Sequence, residues 1–376
     1  MSKKIAPKEN HELKKLERKR GAWRVVGIVA ILVIVAGVAS AGYMLLGGKL
    51  PSGITSLIDT SKKFGQTDVT GEARKVFYSP YSGVETTEVQ SKRRAFSVMY
   101  GADPVARPLS GLSQADMVFE MAVTPSQITR LMGVYQSHDP SEIGSIRSAR
   151  SEFIDLSKYI DAVFVHWGGS HYALDTLKGN VIDEVDALTE GSAFYRVARS
   201  YAPFNGFSTA DLIRKRMKEK SYKATTDFNL YTFVDDIEAE KRPAGGTVVL
   251  PYPGQFQVSY EYDQITNVYT RYQAGKLQTD RNNSLALKAK NVVVLYAPFS
   301  QLKAGEQYVD NNIHDGGKCA VYQNGTVIPC TWKKGTLLSS PLILTDLDDE
   351  PIPFVRGATW FSFLSPSQPA SWKEKE

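Results

Sequence analysis

The feature that most constrains this chain is an uncharged apolar run near its N-terminus. The run extends from Val25 to Leu46 and holds 22 consecutive residues without a charge. As an α-helix it would be about 33 Å long, at about 1.5 Å per residue, which matches the hydrocarbon core of a bilayer. A helix buried in a protein core usually keeps a polar face, which this run lacks. Because a lipid-exposed segment must satisfy its own backbone hydrogen bonds, the run predicts a single transmembrane helix at residues 25–46.

The charges that flank this run predict its orientation. Residues 1–24 are rich in Lys and Arg, whereas only Lys49 follows the run closely. The positive-inside rule therefore places the tail in the cytoplasm and the C-terminal region outside the cell membrane. A cleaved signal peptide is the alternative, since Ala39-Ser40-Ala41 has the small-x-small form. The run is longer than a typical signal-peptide core, so we favour an uncleaved anchor. No Cys follows the run at the place where a lipid would be attached.

The charge of the remaining chain argues against a nucleic-acid partner. The whole chain carries a formal net charge of +5. The tail 1–24 accounts for about +6 of it, so the rest of the chain is close to neutral. Nucleic-acid binding needs clustered positive charge that displaces counterions from phosphates. We therefore expect no nucleic-acid partner.

Both cysteines flank one predicted β-hairpin. Cys319 and Cys330 lie on either side of Asn324-Gly325, a dipeptide typical of a two-residue hairpin turn. Counting outward from the turn places the two cysteines directly opposite each other. Opposed residues have Cα atoms about 4.5–5.5 Å apart, which suits a disulfide. Two free buried thiols are the alternative, whereas a disulfide agrees with an oxidising compartment outside the membrane.

Composition divides the chain beyond the apolar run into a tether and two domains. Residues 47–76 are rich in Gly, Ser, Thr and Lys and have no apolar period, which predicts a tether. Residues 77–243 combine strand-like and helix-like patterns, which predicts an α/β domain. Residues 247–368 hold alternating and β-branched runs between turn residues, which predicts a mostly antiparallel β domain. The stretch Lys241–Gly246 contains Pro and Gly and is the predicted linker.

The runs of strand length are distributed over both predicted domains. In the first domain they are Ala95–Tyr100, Met117–Ala122, Ile128–Gln136 and Ala162–Trp167. In the second they are Thr247–Leu250, Gln255–Tyr262, Asn267–Tyr272, Asn291–Tyr296, Lys318–Tyr322, Thr326–Thr331, Pro341–Leu344 and Thr359–Leu364. Two helices are predicted, at Ser145–Tyr159 and Ser208–Lys220. The first helix lies between two strands, and this order favours a βαβ unit.

Ordered motifs in both domains carry a family resemblance. The first domain has RPLSGLSQAD at 107–116, ITR at 128–130, IGSIRSAR at 143–150 and VHWGGS at 165–170. The second has YTR at 269–271, Gly275, Asp280, NVVV at 291–294 and RGATW at 356–360. In this order, over about residues 77–366, they resemble the YerB family of bacterial envelope proteins, also called DUF3048.

This resemblance implies a location more than a reaction. It implies the family's N-terminal and C-terminal domains and attachment to the cell envelope. Members are often attached through a lipidated cysteine, from which this chain departs by its apolar helix. Members commonly carry a His before Asn205 and another two residues before Asp280, where this chain has Phe204 and Gln278. Chemistry that depends on those imidazoles is therefore in doubt here.

A group of arginines is the most site-like feature of the first domain. Arg147 and Arg150 are three residues apart and are expected on one face of the first turns of the Ser145–Tyr159 helix. Free backbone N–H groups, the positive end of the helix dipole and guanidinium groups together suit a carboxylate or phosphate. Arg130, from the preceding strand, completes the predicted anion site. The alternative is a structural network in which internal acids such as Asp116 or Glu120 pair with these arginines.

His166 ends an apolar strand immediately before Gly168-Gly169, where α/β proteins often place ligand sites. It is a weak candidate for a general base, together with Glu120 or Asp116, because a histidine at a strand end is more often packed and hydrogen-bonded. The spacing of His166 and His171 matches no zinc signature, so we expect neither metal nor cofactor. The predicted ligand-binding residues are Arg130, Arg147, Ser148, Arg150, His166, Gly168, Gly169 and Asn205.

These patterns predict a membrane-anchored, extracytoplasmic envelope protein. Its expected role is that of a binding or interaction module for an anionic ligand or a protein partner. An enzyme that acts on a cell-envelope polymer, with His166 and Glu120 as acid/base candidates, is the alternative. A third possibility is a structural scaffold whose arginines are all paired internally.

Overall fold

This computed structural model of the chain describes residues 75–375. The predicted cytoplasmic tail 1–24, the apolar run 25–46 and nearly all of the tether 47–76 lie outside the described residues. Within 75–375, no helix is both long and apolar enough to cross a membrane. Residues from Val76 onward form one compact unit.

The described residues contain many short strands and four α-helices. The strands before residue 240 are β1 Phe77–Tyr78, β2 Glu85–Thr86, β3 Phe96–Gly101, β4 Met117–Ala122, β5 Thr129–Tyr135, β6 Ile143–Gly144, β7 Val163–His166, β8 Glu184–Asp186, β9 Tyr195–Arg196, β10 Gly206–Ser208 and β11 Phe233–Val234. The later strands are β12 Gly246–Leu250, β13 Val258–Asp263, β14 Val268–Gln273, β15 Lys276–Leu277, β16 Lys288–Ala289, β17 Asn291–Tyr296, β18 Phe299–Gln301, β19 Val309–Asn311, β20 Gly317–Gln323, β21 Thr326–Lys333, β22 Ile343–Thr345, β23 Phe354–Val355, β24 Thr359–Leu364 and β25 Ser371–Glu374. The helices are α1 Glu88–Lys92, α2 Ser151–Tyr159, α3 His171–Leu177 and α4 Ala210–Glu219.

A sheet of ten strands forms the centre of the fold. Its order is β22-β21-β20-β17-β24-β4-β5-β3-β7-β8. β24 is parallel to both of its neighbours, β17 and β4. β5 is antiparallel to β4 and β3, whereas β7 is parallel to β3 and β8. The sheet is therefore mixed and is shared by strands from both halves of the sequence.

A second sheet of six strands is built only from the C-terminal half. Its main path is β15-β14-β13-β12-β25, and β16 pairs with β14. All of its pairings are antiparallel. The fold is thus a mixed α/β region combined with a mostly antiparallel β region, which confirms that part of the predicted fold class.

Side-chain alternation along the central strands separates two hydrophobic cores. Successive residues of a strand face opposite sides of the sheet, so neighbouring apolar residues enter different cores. The core toward the second sheet contains Val98, Val118, Leu131, Val248 and Tyr260. The core toward α2 contains Met99, Phe119, Met132, Phe153 and Leu156. Because of this alternation, charged side chains on neighbouring strands can pair only when they lie on the same face of the sheet.

The start of the first predicted helix was wrong. The helix α2 begins at Ser151, and Arg150 is its N-cap with extended backbone angles of φ −135° and ψ 151°. The preceding residues are extended because their backbone groups bond to distant parts of the chain. Arg147 N donates to the Met99 carbonyl, 3.0 Å away, and Ala149 N donates to the Gly168 carbonyl, 2.8 Å away. Arg147 therefore lies before the helix.

The expected βαβ unit is also replaced by a different connection. β5 and β7 flank α2 in sequence, but β3 lies between them in the sheet. β3 is antiparallel to β5 and parallel to β7, so β5 and β7 run in opposite directions. One parallel neighbour of β7 is β3, which comes before β5 in the sequence. Hydrophobic periodicity along the chain does not reveal which strands pair.

The predicted hairpin and disulfide are confirmed. β20 and β21 pair with Cys319 directly opposite Cys330, and Asn324 and Gly325 both have positive φ in the turn. The two cysteines are bonded, with their Cα atoms 4.7 Å apart.

Candidate anion-binding site

Three arginines from separate segments meet at the start of α2. Arg130 projects from β5 on the face of the sheet that carries Met132 and packs against α2. Arg147 comes from the extended segment between β6 and α2, and Arg150 is the N-cap of α2. Arg147 and Arg150 both lower the pKa of Arg130, so the three positive charges act on one another. The sequence prediction that these arginines form one cluster agrees with this placement.

Gly101, at the end of β3, makes room for the cluster. It lies opposite Arg130 in the sheet. A Cβ atom at this glycine would lie 2.9 Å from Arg147 Cγ and 2.9 Å from Asp103 Oδ2. Contacts that short are repulsive, so glycine allows the arginine stem and the carboxylate to approach the strand closely.

Asp103 is the acid that pairs with the cluster. Its Oδ2 lies 3.1 Å from Arg130 Nη1 and 3.7 Å from Arg147 Nη1. The carboxylate is largely shielded, with 18% of its side chain exposed. Among the described residues, Arg150 has no ion pair within bonding distance, and its Nη1 donates to the Ala149 carbonyl at 2.7 Å. Asp103 is therefore the carboxylate at bonding distance from Arg130 and Arg147, and within the described part of the chain it leaves Arg150 unpaired by an acid.

Aromatic rings cover two of the guanidinium groups. The Arg147 guanidinium carbon lies 4.5 Å from the centroid of Phe204, and that of Arg150 lies 5.4 Å from the centroid of Tyr308. Such contacts favour a cation over a ring face and hold the guanidinium plane in place.

Each arginine also holds a buried nitrogen without a hydrogen-bond partner among the described residues. These atoms are Arg130 Nε, Arg147 Nη1 and Arg150 Nε. Only 6% of Arg130 is exposed. Burial, followed by the charge of Arg147, lowers the pKa of Arg130 to about 9, although Asp103 acts in the opposite direction. Burial also lowers the pKa of Arg147 and of Arg150. For Arg130, the cost of burying the positive charge therefore outweighs the stabilisation that Asp103 provides.

A cavity of about 100 Å³ opens beside Arg150. Its walls come from the start of α2, the start of α3 and the β18–β19 hairpin. The lining includes Arg150, Glu152, Ser170, Tyr172, Tyr308 and Asp310. Arg130 and Arg147 do not line it. The cluster therefore has an accessible side at Arg150 and a buried side at Arg130.

His166 is fully buried and lies in a separate hydrogen-bond network. Its Nδ1 is 2.8 Å from the Gly168 carbonyl oxygen, and its Nε2 is 2.8 Å from Glu184 Oε2. The Gly168 N–H donates to Asp186 Oδ1 at 2.8 Å. Both imidazole nitrogens are therefore occupied by groups of the protein, and the side chain is 0% exposed.

Glu120 and Asp116 are engaged away from the arginine cluster. Glu120 lies on the opposite face of the sheet from Arg130, since it faces Leu131 across the strand pair. Its Oε2 lies 2.8 Å from Arg271 Nη2, with both side chains buried. Asp116 accepts from the backbone N–H groups of Gln136 and Ser137. Neither of these two acids pairs with Arg147 or Arg150; the internal acid beside the cluster is Asp103, which pairs with Arg130 and Arg147.

A general acid or base must come within hydrogen-bond reach of a substrate proton. Glu120 and His166 are buried and already bonded within the protein, so their placement gives no support to the acid/base alternative, which stays a prediction.

The remaining predicted ligand residues surround the cluster less closely. Ser148 is half-buried between Arg147 and Ala149. Gly168 has a φ of +62°, a conformation that favours glycine, and Gly169 forms a bridge with Ala149 beside the cluster. Asn205 Oδ1 accepts from Arg196 Nη1 at 2.6 Å, so this amide binds a neighbouring arginine.

Residues such as Asp103, Tyr172 and Tyr308 were missed from the sequence. Asp103 follows β3 closely, and the start of β5 lies beside the end of β3. The local signal for Asp103 was its position as an acid just after an apolar strand, two residues beyond Gly101. Tyr308 lies far along the chain from Arg150, and no sequence spacing connects the two.

Comparisons with known proteins match both halves of the chain. A model described as "Protein of unknown function (DUF3048) N-terminal domain" matches residues 81–223. The corresponding C-terminal domain model matches residues 248–361. The protein named "Putative lipoprotein YerB" from Bacillus subtilis strain 168 is 32% identical over 316 residues, which cover 83% of this chain and 93% of that protein.

The fold is also similar to a solved structure. A crystal structure of the YerB protein from Bacillus subtilis has a TM-score of 0.72 and 30% identity. The match covers 79% of this chain and all of that chain. With both domain models matched in order, this chain belongs to the DUF3048 family of YerB.

Proposed function

We propose that this chain is a membrane-attached protein of the cell envelope that binds an anionic ligand or partner at the arginine cluster Arg130, Arg147 and Arg150. The observation that carries the proposal is the unmatched charge of the cluster. Asp103 lies at bonding distance from Arg130 and Arg147 only, and among the described residues Arg150 has no carboxylate at that distance. Each of the three guanidinium groups keeps a buried nitrogen without a hydrogen-bond partner among the described residues.

The energetics of buried charge support a ligand. A buried donor without a partner costs about 1–3 kcal/mol, and more when it is charged. An arginine at a helix N-terminus also opposes the helix dipole. An oxyanion in the cavity beside Arg150 would accept from that guanidinium and reduce the repulsion between Arg147 and Arg150. Guanidinium forks bind carboxylates and phosphates with two parallel hydrogen bonds, which adds geometric selectivity.

Two independent features support the proposed location. The relative from Bacillus subtilis carries the name "Putative lipoprotein YerB", and a lipoprotein is held at a membrane by a lipid. In this chain the apolar run 25–46 would take that role, with residues 77–368 outside the cell. The disulfide Cys319–Cys330 suits an oxidising compartment.

The test is anion-dependent stabilisation of the purified full-length chain. Phosphate at about 100 times its dissociation constant should add about 2.7 kcal/mol to the free energy of unfolding. Replacement of Arg147→Gln with Arg150→Gln should abolish this gain. The matched control is Lys215→Gln with Lys218→Gln, which removes the same charge from the exposed face of α4 and should leave the gain unchanged.

The same variants separate a ligand site from a structural network. If the cluster awaits an anion, neutralising two repelling cations should keep or raise the melting temperature measured without phosphate. If the arginines are structural partners of Asp103, the double variant should melt lower. A lower melting temperature, or a wild type that no phosphate or carboxylate stabilises, would contradict the proposal.

A further inference from the structure

The cavity beside Arg150 combines a cation, carboxylates and aromatic rings. Arg150 lines it together with Tyr172 and Tyr308, and Glu152 and Asp310 supply carboxyl groups. Asp310 is exposed, whereas Glu152 is buried. A simple inorganic anion would use only the arginine. The tyrosines and carboxyl groups in the other walls therefore indicate a ligand that carries apolar surface and hydrogen-bond donors in addition to a negative charge.

The tyrosines give this cavity apolar walls. The ring centroids of Tyr172 and Tyr308 are 6.1 Å apart, with an interplanar angle of 86°. The ring of His171 packs against both tyrosines, at centroid distances of 4.0 Å and 5.5 Å. The Tyr172 hydroxyl donates to Glu306 Oε2 at 2.9 Å, which fixes the ring. Held in this way, the rings offer rigid apolar surface to the C–H face of a ligand.

The carboxyl groups favour hydrogen-bond donors on the same ligand. A carboxylate accepts and does not donate, so Asp310 suits hydroxyl or amide N–H groups. Glu152 Oε1 already accepts from Asn311 N and Nδ2, at 2.9 Å and 3.1 Å. Asp310 is thus the more available acceptor. An acidic sugar carries an anionic group, hydroxyl donors and an apolar ring face, so it matches all three features of the cavity.

The volume of the cavity limits how much of the ligand enters. Pockets that enclose a whole small molecule measure about 300–1,000 Å³. This cavity measures about 100 Å³. It therefore fits the charged end of a sugar residue while the rest of the molecule lies outside, as for one unit of a longer chain.

We propose that this cavity receives an acidic sugar unit of a polysaccharide, with the anionic group on Arg150 and the ring against Tyr308 and Tyr172. This inference rests on the proposed function, since it names the ligand class of the same arginine cluster. Asp310 accepts from the sugar hydroxyls, and Arg147 and Arg130 add long-range attraction.

The test is calorimetric binding of the full-length chain to trigalacturonate, to neutral galactotriose and to the peptide acetyl-Ala-Ala-Ala. Trigalacturonate should bind at least about tenfold more tightly than either of the others. Tyr308→Leu should weaken its binding by about tenfold, in line with the usual contribution of one aromatic face. The control Tyr78→Leu removes a partly exposed ring from β1 and should leave binding unchanged. If the Tyr308 variant fails to fold, the three-ligand comparison on the wild type decides.

Phosphate stabilisation of the wild type, measured in parallel, separates this inference from the proposed function. If phosphate stabilises the chain but trigalacturonate binds no better than galactotriose, the sugar inference fails alone. Equal binding of the peptide, or unchanged binding by Tyr308→Leu, also overturns it. If neither phosphate nor any carboxylate stabilises the chain, the proposed function fails and the sugar inference fails with it.

Discussion

At the scale of single residues, Asp103 sets the electrostatic state of the candidate site. Its carboxylate is close enough to pair with Arg130 and Arg147, but it leaves Arg150 to an aromatic ring and a backbone carbonyl. A ligand anion therefore competes least with Asp103 at Arg150. The cavity opens at Arg150, whereas Asp103 compensates the charge of Arg130 and Arg147. A ligand could therefore bind at Arg150 without breaking the internal ion pair.

Glu152 gives a prediction on pH. Burial raises the pKa of this glutamate above its ordinary value of 4.5, with Asp310 acting in the same direction and hydrogen bonds from Asn311 opposing it. The charge of Arg150 also acts on it. A raised folded-state pKa means that the folded chain retains a proton that the unfolded chain releases. The free energy of unfolding contributed by Glu152 should therefore fall as pH rises above about 4.5.

Glu152→Gln keeps the acceptor for Asn311 and removes this titration. We expect the melting temperature of the variant to exceed that of the wild type by a margin that grows as pH rises above about 4.5. Thermal melts in steps of half a pH unit measure the margin. A margin that stays constant over this range would count against the assignment.

The sequence identified the arginines of the site but not their partners. Arg130, Arg147 and Arg150 stood out because cations near a predicted helix start need an anion. Asp103 and Tyr308 approach them only through strand pairing and a hairpin far along the chain, and neither has a local pattern. Glu120 was a reasonable candidate in sequence, but the two-residue period of β4 turns it to the other face of the sheet.

At the scale of elements, buried strands were the easiest to predict. Met117–Ala122, Asn291–Tyr296 and Thr359–Leu364 have the predicted bounds because each is a mostly apolar run of strand length. The helix α2 was predicted six residues too early. Residues 145–150 have helix-compatible side chains, but their backbone N–H groups find partners in distant segments, so tertiary pairing overrides local preference.

The β20–β21 hairpin carries a prediction on stability. Cys319 and Cys330 are 11 positions apart and close a short loop. In the loop-entropy model a crosslink of this size contributes roughly 3 kcal/mol. Replacing both by Ser should lower the melting temperature by about 6–12 °C, at about 2–4 °C per kcal/mol.

Reductant provides the control for this prediction. It should lower the melting temperature of the wild type toward that of the double variant, and should leave the variant unchanged. Equal melting of the oxidised and reduced wild type would show that the bond adds no stability.

At the scale of the whole molecule, the two halves of the sequence share one sheet. β24, from the C-terminal half, lies between β17 and β4. The buried pair Glu120 and Arg271 also joins the halves, with the Arg271 guanidinium 4.8 Å from the Trp360 ring. The division at residues 243–247 stays a prediction about sequence organisation, while the hydrophobic cores cross it.

This shared sheet predicts that neither half folds alone. Fragments 77–243 and 247–368 should each lack a cooperative melting transition, since separation exposes the pairing edges of β4 and β24. It also leaves Glu120 and Arg271 as buried, unpaired charges, which costs about 3–5 kcal/mol. Calorimetry on each fragment and on the full-length chain provides the comparison. A cooperative melt of either fragment would contradict this prediction.

The position of the C-terminus tests the membrane orientation. The basic residues before the apolar run predict that a cysteine-free reporter fused at Glu376 faces the exterior. Protease added to intact cells with a permeable wall should release the reporter. Release only after lysis would place the C-terminus inside.

The position of β24 has a consequence for export. Met117 of β4 pairs with Thr359 of β24, so the centre of the sheet joins the beginning and the end of the described chain. If the chain is exported as proposed, with its tail held inside, the residues after the apolar run cross the membrane in sequence order and β4 emerges long before its partner. Contacts so distant in sequence form slowly. During that interval the uncovered edge of β4 is open to wrong partners. Correct folding after such export would therefore depend on how quickly translocation delivers the last strands.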